Sequence, residues 1–265
     1  MELSGKTALV TGASGGLGIA IARALHGRGA TVKLTARRAE LMQELAGELG
    51  ERAQVLPADL SDADDVRRLA EEAGAVDVLV ANAGVPGTGE LVEYEPEQID
   101  RVLDVNLRSP IHLTHALLPG MLERRDGHLI YISSLSGKVA SPRAALYNAT
   151  KFGLRAFAHA MHEDLRGTGV GCTSVNPGFI EDAGMWADSK VQAPAGAGSR
   201  KPEDVAAAVL KALDKNRYDI DVAGLVPRSG GWIYGAAPAL VQAIQRRSGG
   251  DALTADLAEA QKAKR

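Results

Sequence analysis

Thr7-Ala8-Leu9-Val10-Thr11-Gly12-Ala13-Ser14-Gly15-Gly16-Leu17-Gly18 is the stretch on which the fold turns. Its first five residues read as a short buried strand, the glycines as a tight turn, and the amphipathic run from Leu17 to Arg28 as a helix that follows at once. In that arrangement, backbone N–H groups and a helix N-terminus can cradle a pyrophosphate. The spacing, Gly12-x-x-x-Gly16-x-Gly18, departs from the commoner Gly-x-Gly-x-x-Gly fingerprint. Any tight strand-to-helix turn can use glycine. It is the position directly after a strand and before a helix that points to a dinucleotide.

Working outward, strand and helix patterns alternate along the chain, the mark of parallel strands joined by crossover helices. Strands are expected near Thr7–Thr11, Thr31–Thr35, Gln54–Pro57, Val76–Ala81, His128–Ser133, Gly171–Asn176 and Asp219–Val222, with helices near Leu17–Arg28, Ala39–Leu49, Asp62–Ala73, Pro96–Arg124, Tyr147–Arg166 and Pro202–Asp214. The fold class is therefore α/β, a doubly wound, Rossmann-type parallel sheet of about seven strands with helices on both faces. The chain has 265 residues and no Pro/Ser-rich linker, so one domain is expected over 1–248, with 249–265 a flexible tail or an exposed helix. Net charge is −3 with mixed signs, which argues against a nucleic-acid partner. Cys172 is the only cysteine and reads as a buried strand residue, so neither a disulfide nor a metal site is expected. No apolar stretch reaches the ~18 residues of a membrane span, and no signal peptide precedes the first strand; a cytoplasmic protein without an integral membrane segment is expected.

The chemistry is carried by Tyr147 and Lys151, in a Tyr-x-x-x-Lys spacing, with Ser134 thirteen positions before the tyrosine. On a helix the two side chains lie one turn apart on one face, placing an ammonium beside a phenol. A phenol has an ordinary pKa of ~10, and a neighbouring positive charge favours phenolate. Tyr147 thus reads as an acid/base and Ser134 as the hydroxyl that orients a substrate oxygen, with Ser133 and Ser136 as rivals. Tyr-x-x-x-Lys by itself also describes a surface tyrosine near a lysine. Asn106 precedes Pro110 by four positions, and proline lacks the N–H that would bond the Asn106 carbonyl. That carbonyl is free to bind water, which gives a reason for Asn106 to anchor a proton relay through Lys151 to Tyr147; a plain proline kink is the competing reading.

Asp59-Leu60 after the third strand, Asn82-Ala83-Gly84 after the fourth, Asn106 within Val105-Asn106-Leu107, and Pro177-Gly178 after the sixth complete the set. With the glycine turn and Tyr147-x-x-x-Lys151, the chain from Leu3 to Pro227 resembles the short-chain dehydrogenase/reductase family, in its compact single-domain branch. The resemblance implies a catalytic tetrad of Asn106, Ser134, Tyr147 and Lys151, and a nicotinamide dinucleotide touching Gly12, Ser14, Gly16, Leu17, Gly18, Arg37, Asp59, Leu60, Asn82, Ala83, Gly84, Tyr147, Lys151, Pro177, Gly178 and Ile180. The second strand ends Leu34-Thr35-Ala36-Arg37-Arg38, with alanine where NAD-preferring members carry aspartate and Arg37 in reach of a 2′-phosphate. NADP(H) is the expected cofactor. One departure is Phe179-Ile180-Glu181-Asp182, which puts Asp182 near the place of the family's carboxamide-binding threonine; a carboxylate can accept from the amide but cannot donate to it.

Residues 179–200 follow the sixth strand without firm periodicity and read as a substrate lid, offering Phe179, Ile180, Met185, Trp186 and Val191. An apolar pocket is expected, and with it an uncharged, apolar ketone or secondary alcohol, a lipid-like one among the options. A C-terminal helical segment at 230–248, rich in large apolar residues from Trp232 to Ile244, is expected to cover the pocket or a subunit contact, with surface-membrane association as its rival. Apolar residues on the Pro96–Arg124 and Tyr147–Arg166 helices beyond one stripe suggest a homodimer or homotetramer. A non-catalytic NADP(H)-binding redox sensor or regulator is the alternative, since fold does not dictate function. A nucleotide-sugar epimerase would want a larger C-terminal domain than this chain holds.

Overall fold

In the computed structural model of the chain, seven parallel strands lie in the order β3-β2-β1-β4-β5-β6-β7. They are β1 (Thr7–Thr11), β2 (Thr31–Thr35), β3 (Ala53–Val55), β4 (Val78–Ala81), β5 (Gly127–Ile132), β6 (Val170–Pro177) and β7 (Asp219–Val222). The helices are α1 (Gly16–Gly27), α2 (Ala39–Leu49), α3 (Ala63–Ala73), α4 (Pro96–Leu103), α5 (Ser109–Arg124), α6 (Ala145–Asp164), α7 (Gly184–Ser189), α8 (Pro202–Lys215), α9 (Leu225–Ala236), α10 (Pro238–Arg247) and α11 (Gly250–Gln261). The structure describes residues 1–193 and 197–264; Pro194, Ala195 and Gly196 of the expected lid and Arg265 of the tail lie outside them.

Successive side chains of a strand leave on opposite faces, and here both faces are dry. Val10, Val80 and Ile130 join a buried cluster with Ile21 and Leu25 of α1 and Val205 and Val209 of α8. Their chain neighbours Leu9, Leu79 and Leu129 join a second cluster with Leu69 of α3, Leu113 of α5 and Leu154 of α6. Each fully buried side chain of this size contributes roughly 1.5–3 kcal/mol. The chain builds outward from β1 to β3, then crosses back to lay β4 on the other side of β1. The carboxyl ends of β1 and β4 therefore part at a topological switch point, where such sheets bind ligands.

Local chemistry sets the helix starts. Asp62 caps α3 by accepting from the Asp64 and Asp65 N–H groups at 2.7 and 3.2 Å. Glu95 and Gln98 form a capping box around Pro96 at the head of α4. The single helix expected from Pro96 to Arg124 is interrupted: Asp104–Arg108 winds as a π-turn, with the Ser109 N–H reaching back five residues to the Asp104 carbonyl. Pro110 cannot donate in the next position, so the ladder widens around Asn106 instead of simply kinking.

Of the two readings of the tail, residues 250–261 take the helical one as α11, and the helix is docked, not fully exposed, burying Thr254, Ala258 and Gln261. The segment from Trp232 to Ile244 folds as the hairpin α9–α10, yet only Val241 is fully covered, while Trp232, Ile233, Leu240 and Ile244 remain 44–75 % exposed. The apolar excess that suggested subunit contacts is largely used within the chain. Leu113 and Leu117 are buried, Leu118, Phe157 and Met161 pack on the same cluster, and the Phe152 ring lies 6.5 Å from that of Tyr234.

Candidate active site

At the switch point the ends of β1 and β4 are tied together by side chains. The Thr11 hydroxyl accepts from the Asn82 and Ala83 N–H groups, each at 3.0 Å, and Asn82 Nδ2 donates to the Thr11 carbonyl at 2.9 Å. Gly12 has a left-handed φ of 67°, and a Cβ there would stand 2.8 Å from Ala83 Cα. Gly18 lies so close to the Gly12 carbonyl that a Cβ would come within 2.3 Å of it, which fixes the approach of α1 to the turn. Helix α1 begins without a side-chain cap and without an acid in its first turn, an end suited to an anion. The Ala13 N–H bonds the Thr35 carbonyl at 3.0 Å, setting Ala36, Arg37 and Arg38 beside the turn, with both arginines exposed. Burial pushes the Asp59 carboxyl up, but hydrogen bonds from the Ser61 N–H and hydroxyl, with Arg37 and Arg101 nearby, hold it below the usual range. Leu60 is buried beside it.

The proposed tetrad converges across β4 and β5. Asn106, fully buried, clamps Val85: its Oδ1 accepts from the Val85 N–H at 2.7 Å and its Nδ2 donates to the Val85 carbonyl at 2.9 Å. The Tyr147 N–H bonds the Gly87 carbonyl at 3.1 Å, so the head of α6 is tied to the same loop. Ser134 hydrogen-bonds the Tyr147 phenol, and its hydroxyl accepts from the Ser136 N–H at 3.0 Å. The rival Ser133 is spent on the Lys151 carbonyl at 3.0 Å, which leaves Ser134 facing the tyrosine. Lys151 Nζ stands 5.7 Å from the Tyr147 ring centroid and donates to the Ile132 carbonyl at 3.0 Å.

The expected lowering of the Tyr147 pKa by Lys151 is not what this state displays. Burial pushes the phenol up to about 12, with the Ser134 hydrogen bond opposing, and pushes the Lys151 ammonium down to about 8. Desolvation favours the neutral form of each group, and the ammonium lies over the ring with its hydrogen bond directed at a carbonyl.

Pro177 ends β6, the Gly178 N–H bonds the Val222 carbonyl at 3.0 Å, and Ile180 is buried, pairing with Arg200 in an isolated bridge. The following residues lie across the cleft. A Cβ on Gly16 would fall 2.2 Å from the Ala183 Cβ, and one on Gly84 would stand 3.8 Å from Lys151 Nζ and 4.0 Å from Met185 Cε. The strip Ala183–Met185 thus spans from the glycine turn to the Asn82-Ala83-Gly84 loop. Asp182, exposed and at a left-handed φ of 63°, introduces this strip. The Phe179 and Trp186 rings meet edge to face at 4.6 Å behind it.

Sequence reasoning missed two features here. Gln261 of α11 donates to the Met185 carbonyl at 3.4 Å, and Arg143 donates to the Asp251 carbonyl at 3.3 Å, so α11 straps the Ala183–Met185 strip to the loop before α6. Lys138, buried, bridges Asp219 and Asp221 at 2.6 and 2.5 Å and braces the Ser134–Lys138 turn against β7. Burial would raise the Asp219 carboxyl, but hydrogen bonds from His159, Arg155, Lys138 and Asn176 hold it far below the usual range. Neither pairing leaves a local pattern.

Comparison with known proteins agrees with this architecture. A family model described as short chain dehydrogenase matches residues 6–193. The chain is 37 % identical over 227 residues to a ketoacyl reductase, HetN, of Nostoc sp., covering 83 % of this chain and 79 % of that one. A metagenomic short-chain oxidoreductase solved in complex with NADP is 36 % identical, with a TM-score of 0.70 and coverage of 84 % and 97 %. A 3-ketoacyl-(acyl-carrier-protein) reductase from Brucella melitensis, complexed with NADH, is 29 % identical, with a TM-score of 0.75 and coverage of 84 % and 98 %.

Proposed function

The chain belongs to the short-chain dehydrogenase/reductase family, and from that premise we propose that it moves a hydride between NADP(H) and an uncharged, apolar ketone or secondary alcohol. The observation that carries the reading is the meeting of Ser134, Tyr147 and Lys151 at the carboxyl end of β5, beside the β1/β4 switch point. The residues present fit a dinucleotide: an uncapped α1 end without acids, glycines at the turn, and Arg37 and Arg38 where no carboxylate follows β2. Bound NADP(H) would supply or accept the hydride. Tyr147 gives its proton to the carbonyl oxygen during reduction and takes it back during oxidation, while Ser134 orients that oxygen. Lys151 serves the tyrosine and the ribose hydroxyls, and Asn106 holds the Val85 loop, and through it the head of α6, in register. Preference for NADP(H) over NAD(H) rests on Arg37 and on the absence of an acid at Ala36.

An NADPH-oxidation screen over aldehydes, ketones and diketones tests the proposal, with Tyr147→Phe as the control. Oxidation that depends on both the carbonyl and Tyr147 is the expected result. Binding of NADPH with no turnover on any carbonyl would favour the alternative, a non-catalytic NADP(H)-binding sensor. The strap of α11 on the lid is the observation that speaks for that second reading. A homodimer or homotetramer completes the proposal on family resemblance alone, and light scattering at micromolar concentration decides it.

A further inference from the structure

The α9–α10 hairpin carries the largest group of exposed apolar side chains on the described surface. Leu225, Val226, Trp232 and Ile233 of α9 and Leu240 and Ile244 of α10 are 44–81 % exposed. Leu225 and Trp232, like Val226 and Ile233, are seven residues apart and share a helix face, as do Leu240 and Ile244 at four. The hairpin is nonetheless fastened to the body: Val241 is buried, Gly231 packs on the Lys138 side chain, and the Tyr234 ring meets Phe152. Scattered single apolar residues on a surface need no explanation, but six on one fastened hairpin do.

Charge identifies what covers them. From Ala223 to Gly250 the only charged residues are Arg228, Arg246 and Arg247, all exposed, in a chain whose net charge is −3. Among the described residues none of these guanidiniums forms an ion pair. A second copy that met this patch with its own is a poor occupant, because arginines would then face arginines, the nearest exposed carboxylate in sequence being that of Asp251 at the head of α11. No helix of the described residues is long and apolar enough to cross a membrane, so the hairpin cannot be a span. Large apolar residues including a tryptophan, beside arginines and without acids, are the composition of a helix that lies in a lipid interface.

We propose that the α9–α10 hairpin docks the protein onto the surface of a bilayer carrying anionic lipid headgroups. Its apolar face enters the headgroup region and the three arginines meet the lipid phosphates. Gly231 packs on Lys138, next to the turn that holds Ser134, so docking sets the substrate side of the cleft near the lipid. The docking claim itself does not depend on the enzymatic reading.

Flotation of the full chain with vesicles of phosphatidylcholine, alone or mixed with phosphatidylglycerol, tests it at low and high salt. Binding to the mixed vesicles that weakens with salt is expected, with little on neutral ones. Each arginine near an anionic surface contributes about a fivefold change, so the Arg228→Gln/Arg246→Gln/Arg247→Gln variant should lose roughly a hundredfold in partitioning. Trp232 fluorescence should shift to the blue on the same vesicles, and the shift should vanish in Trp232→Phe. Absence of binding to anionic vesicles, or equal binding to neutral ones, overturns the proposal. So does a dimer, seen by sedimentation equilibrium, that dissociates in the Trp232→Ala/Leu240→Ala variant, because a second copy then covers the face.

Discussion

The floor of the cleft and its cover are built on different terms. Beneath, Asn106, Ser134 and Lys151 are each tied to backbone groups of other elements, and the β1 and β4 ends are tied to each other through Thr11 and Asn82. Above, the strip Ala183–Met185 is tied to α11 by one 3.4 Å hydrogen bond from Gln261, its other bonds being local, to Glu181 and through Glu181 to Arg200, and Gln261 Oε1 is buried without a partner among the described residues. An unpartnered buried amide oxygen costs about 1–3 kcal/mol, which release of the strap recovers. The floor fixes geometry to within a hydrogen bond.

Changes to the floor should cost rate, and changes to the cover should alter binding. The largest expected effect is that of Tyr147→Phe: single-turnover reduction should drop by ~10²–10⁴-fold, as loss of a general acid does, with the NADPH dissociation constant nearly unchanged. A Tyr147→Phe enzyme of near wild-type rate would show that the floor does not carry the proton. At the rim, Arg37→Ala should weaken NADPH binding by roughly ten- to a hundredfold and NADH binding much less, since a charge-assisted contact to phosphate is removed. Titrations with both cofactors read this, and an unchanged ratio moves the discrimination to Arg38 or Ser14.

A third prediction follows from the Tyr147–Lys151 pair. Lys151 has its pKa lowered to about 8, so the ammonium is present below that value and lost above it, while Tyr147, at about 12, keeps its proton throughout. The kcat/KM for reduction should be level below about pH 8 and fall about tenfold per unit above it, with Lys151→Arg moving that limb upward. A profile level to about pH 10 would separate Lys151 from the proton step. The smallest effect belongs to the cover. Gln261→Ala removes one long hydrogen bond and should tighten NADPH binding by about two- to tenfold, with little change in turnover of bound substrate. If affinity stays the same or falls, the strap does not compete with the cofactor.

Most of the fold was legible because a strand buried on both faces reads as a near-continuous apolar run, as the middle of β1, the whole of β4 and the end of β5 do. Tyr147 and Lys151 were legible because their relation is local, one helical turn. Ser134 needed the thirteen-residue spacing, and the structure adds why its neighbour is unsuitable: Ser133 is committed to the Lys151 carbonyl. Pro110 announced a fault in the helix ladder without saying that the turn would widen around Asn106. The strap could not be read, because Gln261 and Met185 are 76 residues apart and a single amide leaves no pattern. Lys138 and Asp219, 81 apart, are hidden for the same reason. The hairpin shows a further limit: hydrophobicity says that Trp232 gains from being covered, and is silent about what covers it.

The latch comes late in the chain. A ribosome makes the glycine turn, Lys151 and the lid before it makes Gln261, which follows Met185 by 76 residues. Every new copy therefore passes through a stage at which the residues of the cleft have been made and Gln261 has not.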